Sequence, residues 1–131
     1  MKILSVDDDA AMTELMVMLL LSHGFHVLTA NNGMDALQII RNQHPHAVIL
    51  DLMMPDMDGR QVCRAIRAFS DIPIIILSAL NDSETVASAL DSGADDYLVK
   101  PVPRDVLAAH LKRLIKRTGK WSMSPETLAN S

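Results

Sequence analysis

Short apolar runs of strand length alternate along this chain with longer segments of helical period, and no other feature restricts the fold as much. Candidate strands are Lys2 to Val6, Phe25 to Ala30, Ala47 to Leu50, Ile74 to Leu77 and Tyr97 to Val99. Helical periods fit at Ala10 to Ser22, Gly33 to Asn42, Gly59 to Phe69, Ser83 to Ser92 and Arg104 to Arg117. Strand, helix, strand is the pattern of βαβ units around a parallel sheet, because parallel neighbours need a long crossover. The third and fourth runs are almost unbroken Val, Ile and Leu, as strands covered on both faces must be. The last helix carries an apolar stripe of Val106, Leu107, Leu111, Leu114 and Ile115, with Arg113, Lys116 and Arg117 near its C-terminal end. The reading is an α/β domain.

With 131 residues the chain has room for a single domain. Its formal charge of -4 gives no general basis for holding nucleic acid or an anionic membrane, so DNA contact would require another domain. The longest apolar run, Leu15 to Leu21, is too short to cross a bilayer, and Asp7 follows too early for a signal peptide. A cytoplasmic protein with no membrane partner is expected. Cys63 is the sole cysteine and sits among Val62, Ala65 and Ile66 as a core residue would. The methionines, Met12, Met16 and Met18 among them, read as packing material. Beyond Thr118-Gly119 the pattern breaks, and Lys120 to Ser131 reads as a tail or linker.

In an open parallel sheet, ligands bind beyond the carboxyl ends of the strands. That rule selects Asp7, Asp8 and Asp9 after the first strand, Asp51 after the third, Ser78 after the fourth and Lys100 after the fifth. Carboxylates converging on one rim repel unless a cation lies among them. Oxygen ligands without Cys or clustered His favour a hard ion, and a shallow site suits Mg²⁺, with Mn²⁺ as a substitute. A carboxylate beside such an ion can attack phosphorus and form an acyl phosphate, with a Lys ammonium spreading the charge. A Ser hydroxyl there can donate to a phosphoryl oxygen and report its presence.

Four blocks of the sequence then take on a joint meaning: Val6-Asp7-Asp8-Asp9; Asp51 through Asp56-Met57-Asp58-Gly59; Leu77-Ser78-Ala79; and Gly93 through Tyr97-Leu98-Val99-Lys100-Pro101. Over Lys2 to Arg117 the chain resembles the receiver domains of bacterial two-component response regulators. The resemblance implies a single three-layer, doubly wound domain with a five-stranded parallel sheet of order 2-1-3-4-5, flavodoxin-like and CheY-like. It implies a receiver over residues 1–118, with 119–131 a tail or the start of a linker to an effector domain.

By position, the resemblance makes Asp51 the phosphoacceptor and Lys100 the phosphoryl-binding lysine. It assigns the metal to Asp7, Asp8, Asp51 and the Met53 main-chain carbonyl, makes Asp9 an outer acid, and makes Ser78 and Tyr97 the switch pair. Lys100-Pro101 is expected to be cis. The implied donor is a sensor histidine kinase or phosphotransfer protein, and the domain catalyses only its own phosphorylation and slow dephosphorylation. The implied output surface is the face built by the fourth helix, fifth strand and fifth helix, through which a homodimer can form. The tail faintly resembles the opening strand of a winged-helix DNA-binding domain, which would make this the receiver of a transcription regulator; a stand-alone receiver is the alternative. The chain departs from the family pattern at Val102, where Phe usually follows Lys-Pro. It also departs at Val86, Val106 and His110, where charged dimer partners are common.

Plainer readings stand beside these. Asp9 fits an N-cap as well as a metal site, and Asp58-Gly59 reads as turn and helix-start chemistry. A calcium loop fails because Met54 and Ala65 occupy its first and last ligand positions. His44-Pro45-His46 reads as solvated loop histidines rather than a metal pair. An aspartate-nucleophile phosphatase would need a second Asp where Met53 stands, and a nucleotide or flavin site would need a glycine-rich loop where Asp7-Asp8-Asp9 stand. Met53 and Leu80, apolar and two residues after Asp51 and Ser78, are expected to hinder attacking water and prolong the modified state.

Overall fold

The computed structural model describes residues 1–119. Its elements, in chain order, are β1 (Lys2–Val6), α1 (Ala10–Leu21), β2 (His26–Ala30), α2 (Gly33–Gln43), β3 (Ala47–Asp51), α3 (Gly59–Arg67), β4 (Ile74–Ser78), α4 (Ser83–Asp91), β5 (Asp96–Val99) and α5 (Arg104–Arg117). All five strands are parallel, in the order β2-β1-β3-β4-β5. The chain reverses direction across the sheet between β1 and β3, which leaves a crevice above their carboxyl ends.

Strand side chains alternate between two helical layers. Leu4, Val6, Val48, Leu50, Ile74 and Ile76 pack with α2, α3 and the Ala89 methyl of α4. Ile3, Ala47, Ile49, Ile75 and Leu77 pack with Met16 and Leu20 of α1 and with Leu107, Leu111, Leu114 and Ile115 of α5, whereas Val106, expected in the same stripe, is 43% exposed. Burial on both faces explains the unbroken apolar runs in β3 and β4.

The ladder carries β3 and β4 one residue further than the apolar runs indicate, since Asp51 pairs with Leu77 and Ser78 with Val99. Phe25, expected as the start of the second strand, instead lies buried just before β2. The packing role read for the methionines holds for Met16 and Met54 but not for Met18, which is 71% exposed beside Leu15 and Leu21. The α1 segment is apolar around its whole circumference, so its sequence has no stripe to distinguish the buried side. His46 is half-buried, and its Nδ1 accepts from the Lys2 amide at 3.0 Å, while His44 caps α2 with φ 49°. His44 is thus exposed, as expected, whereas His46 is held by the Lys2 amide rather than merely solvated. Residues 120–131, where the tail was expected, lie outside the described residues.

Candidate functional site

Each acidic residue at the rim is placed by its strand and held by local hydrogen bonds. Asp7 follows β1 directly; its amide donates to the Ala30 carbonyl at 3.1 Å, and its carboxylate accepts from the Asp9 amide at 2.9 Å. Asp9 accepts from the Ala11 amide at 3.0 Å and caps α1, so its helix-start role is realised. Asn31, which sequence reasoning passed over, donates to the Asp7 carbonyl at 2.8 Å and to Thr13 Oγ1 at 3.2 Å. It ties the end of β2 to the loop that carries the acids.

Asp51 ends β3 and is only 9% exposed. Burial raises its carboxyl above the ordinary value, as do the neighbouring Asp7 and Asp8 charges; the Lys100 ammonium and a hydrogen bond from the Met53 amide act in the opposite direction. Lys100 Nζ lies 3.7 Å from both Asp7 Oδ2 and Asp51 Oδ1. Its main-chain amide donates to the Ser78 carbonyl at 2.8 Å, and the Lys100-Pro101 bond is cis, as expected. Ser78 is buried, and its Oγ accepts from the Leu80 amide at 3.1 Å.

The fit to a hard divalent ion is direct. Asp7, Asp8 and Asp51 each place a carboxylate oxygen within 4.8 Å of the others, without any soft ligand in the set. The same rim collects a buried carboxylate, an ammonium group and a hydroxyl, the kinds of group a phosphoryl acceptor needs. Residues 3–112 match the family model described as "Response regulator receiver domain". The chain belongs to that family.

The receiver is 42% identical over 130 residues to a probable transcriptional regulator, ycf27, of Porphyridium aerugineum, covering 99% of this chain and 54% of the relative. It is 43% identical to the transcriptional regulatory protein AfsQ1 of Streptomyces coelicolor, covering 88% of this chain and 51% of the relative. The receiver thus spans about half the length of these curated relatives. Among solved structures, the Francisella response regulator 1452 receiver domain superposes with a TM-score of 0.83 at 35% identity, covering 89% of this chain and 98% of that one. The BeF3-activated N-terminal receiver domain of Klebsiella pneumoniae RstA gives a TM-score of 0.83 at 33% identity, covering 88% and 98%.

Around the receiver's rim, Tyr97 packs its ring against the α2–α4 side of the core and donates its hydroxyl to the Leu80 carbonyl at 2.7 Å. Met53 and Leu80, two residues after Asp51 and Ser78, both stand exposed. Asp96 of β5 meets His110 Nδ1 at 2.5 Å and Arg113 Nη2 at 3.2 Å, so the residue that departs from the family's charged pattern still joins a hydrogen-bonded cluster. On the opposite end of the sheet, Arg67 donates to the carbonyls of Gly93 and Ile72 and pairs with Asp95. None of these links was foreseen, since most of them join elements that only the assembled fold brings together. Among the described residues, no helix is long and apolar enough to cross a membrane.

Proposed function

We propose that Asp51 accepts a phosphoryl group from a sensor histidine kinase or phosphotransfer protein. The observation that carries this is the Lys100 ammonium standing 3.7 Å from both Asp7 and Asp51 within a three-carboxylate cluster. Mg²⁺, or Mn²⁺ in its place, would be held by Asp7, Asp8, Asp51 and the Met53 main-chain carbonyl, and would supply neutralisation of the transferring phosphoryl oxygens.

An Asp51 carboxylate oxygen attacks phosphorus, the bond from phosphorus to the donor imidazole breaks, and an acyl phosphate forms. Lys100 balances the added charge. Ser78 Oγ, which accepts from Leu80, turns its proton to a phosphoryl oxygen, drawing in the segment after β4. Tyr97 then leaves the Leu80 carbonyl and turns inward, changing the face of α4, β5 and α5. The chain catalyses only its own modification and its slow reversal.

Residues 1–118 form the receiver unit, with 119–131 a tail or the start of a linker to an effector domain, and the protein works in the cytoplasm. The transcriptional regulators among its relatives support an output in transcription, with DNA bound by the effector alone and a homodimer formed through the α4-β5-α5 face. Transfer of labelled phosphate from a phosphohistidine donor, giving hydroxylamine-labile label on the chain, is the expected result. Hydroxylamine-resistant label, or steady phosphate release from a generic aryl phosphate, would overturn the reading.

A further inference from the structure

We infer that Arg60 is a positioning residue that ties the loop after Asp51 to α4 and sets how readily the α4-β5 face rearranges. This deepens the switch proposed above and rests on that reading. Arg60 holds Asp58 with a two-pronged grip, Nε to Oδ1 at 3.1 Å and Nη2 to Oδ2 at 3.0 Å. Its remaining arm, Nη1, donates to Ser88 Oγ of α4 at 3.2 Å. Among the described residues, no other side-chain hydrogen bond joins α3 to α4.

Both ends of this tie are informative. Asp58 caps α3 and closes the loop that begins at Asp51, and the following residue is pressed against that strand end. The Gly59 amide donates to the Leu52 carbonyl at 2.9 Å, and a methyl group at Gly59 would come within 2.7 Å of the Asp51 carbonyl oxygen. Asp58 is thereby fixed relative to the reacting carboxylate. At the other end, Ala89 is the sole buried residue of α4, so little apolar packing holds this helix and one polar tie has leverage. The Arg60 charge also lies in the field of Asp82, the N-cap of α4. The guanidinium plane serves Asp58 and Ser88 together, which a lysine ammonium on a flexible stem cannot reproduce.

The test uses Ser88→Ala and Arg60→Gln without any phosphodonor. Amide exchange of residues 83–91 should quicken about fivefold in both variants, the size expected for one net hydrogen bond. The core amides of α3 should keep the wild-type rate. Alanine favours helix over serine, so faster exchange in Ser88→Ala runs against propensity and reads the lost tie. Tyr97 is the only tyrosine, and the fluorine resonance of incorporated 3-fluorotyrosine should move in the same direction in both variants.

Wild-type exchange in α4 with an unmoved fluorine signal overturns the inference. So does equal acceleration of α3 and α4, which reports general destabilisation, or a response in Arg60→Gln alone, which confines Arg60 to capping Asp58. Labelling of the wild type by acetyl phosphate is scored separately, so failure of the tie and failure of the phosphoacceptor reading remain distinguishable.

Discussion

Replacing Gly59 by Ala should damage stability and chemistry together. The added Cβ would lie 2.7 Å from the Asp51 carbonyl oxygen and 2.8 Å from Leu52 Cα. Both obstacles are main chain, so no side chain can swing aside, and either β3 or the start of α3 must shift. Overpacking of this kind costs about 1–3 kcal/mol. Helix propensity favours Ala over Gly by up to about 1 kcal/mol, a gain muted at the first helical position. A net loss of about 2 kcal/mol follows, which lowers the thermal midpoint of a domain this size by roughly 8 °C. Because the displaced strand end is Asp51 itself, labelling by acetyl phosphate should fall as well.

Gly33→Ala is the matched control. Its Cβ would meet Met57 Sδ at 2.8 Å and Val62 Cγ2 at 2.9 Å, side-chain atoms that do not belong to the Asp51 strand end, so a loss of stability with labelling intact is expected. Thermal unfolding by circular dichroism and intact-mass labelling measure the two effects. A Gly59→Ala protein with wild-type midpoint and labelling would refute the close-approach argument.

Other outcomes follow from the same structure. Burial pushes the Cys63 thiol up to about 11, so at pH 8 about one molecule in a thousand carries the thiolate, and iodoacetamide should react only on unfolding; rapid native alkylation would contradict this. Arg60 holds the Asp58 carboxyl below its usual range. A depressed folded value gives stability that is present above the unfolded carboxylate value and lost as pH falls through the folded one. The destabilisation caused by Asp58→Asn should therefore shrink below about pH 4 in urea titrations, and a pH-independent difference would count against the pair. Leu80→Glu should speed dephosphorylation by orienting water at the mouth of the site; slower loss would contradict the shielding role given to Leu80 and Met53.

The sequence was most legible where one strand determines a residue's place. Asp51 and Lys100 stand at or just beyond strand ends, and a parallel sheet puts all such ends on one rim whatever the details of packing. Asn31, Arg60 and Arg67 were not legible, because their partners are Asp7, Ser88 and Gly93, and which loops and helices meet is settled only by assembly. Met18 was misplaced for a different reason. A helix apolar on every side offers no period from which to read the buried face. His46 illustrates a third limit: its bond to the Lys2 amide depends on β1 and β3 lying side by side, a neighbour relation that local pattern does not encode.

The central claim is that Asp51 takes the phosphoryl group, and intact-mass measurement after incubation with acetyl phosphate and Mg²⁺ tests it most directly. Wild type should gain the mass of one phosphoryl group while Asp51→Asn gains none. An unmodified wild type, or an equal adduct on Asp51→Asn, would contradict the account.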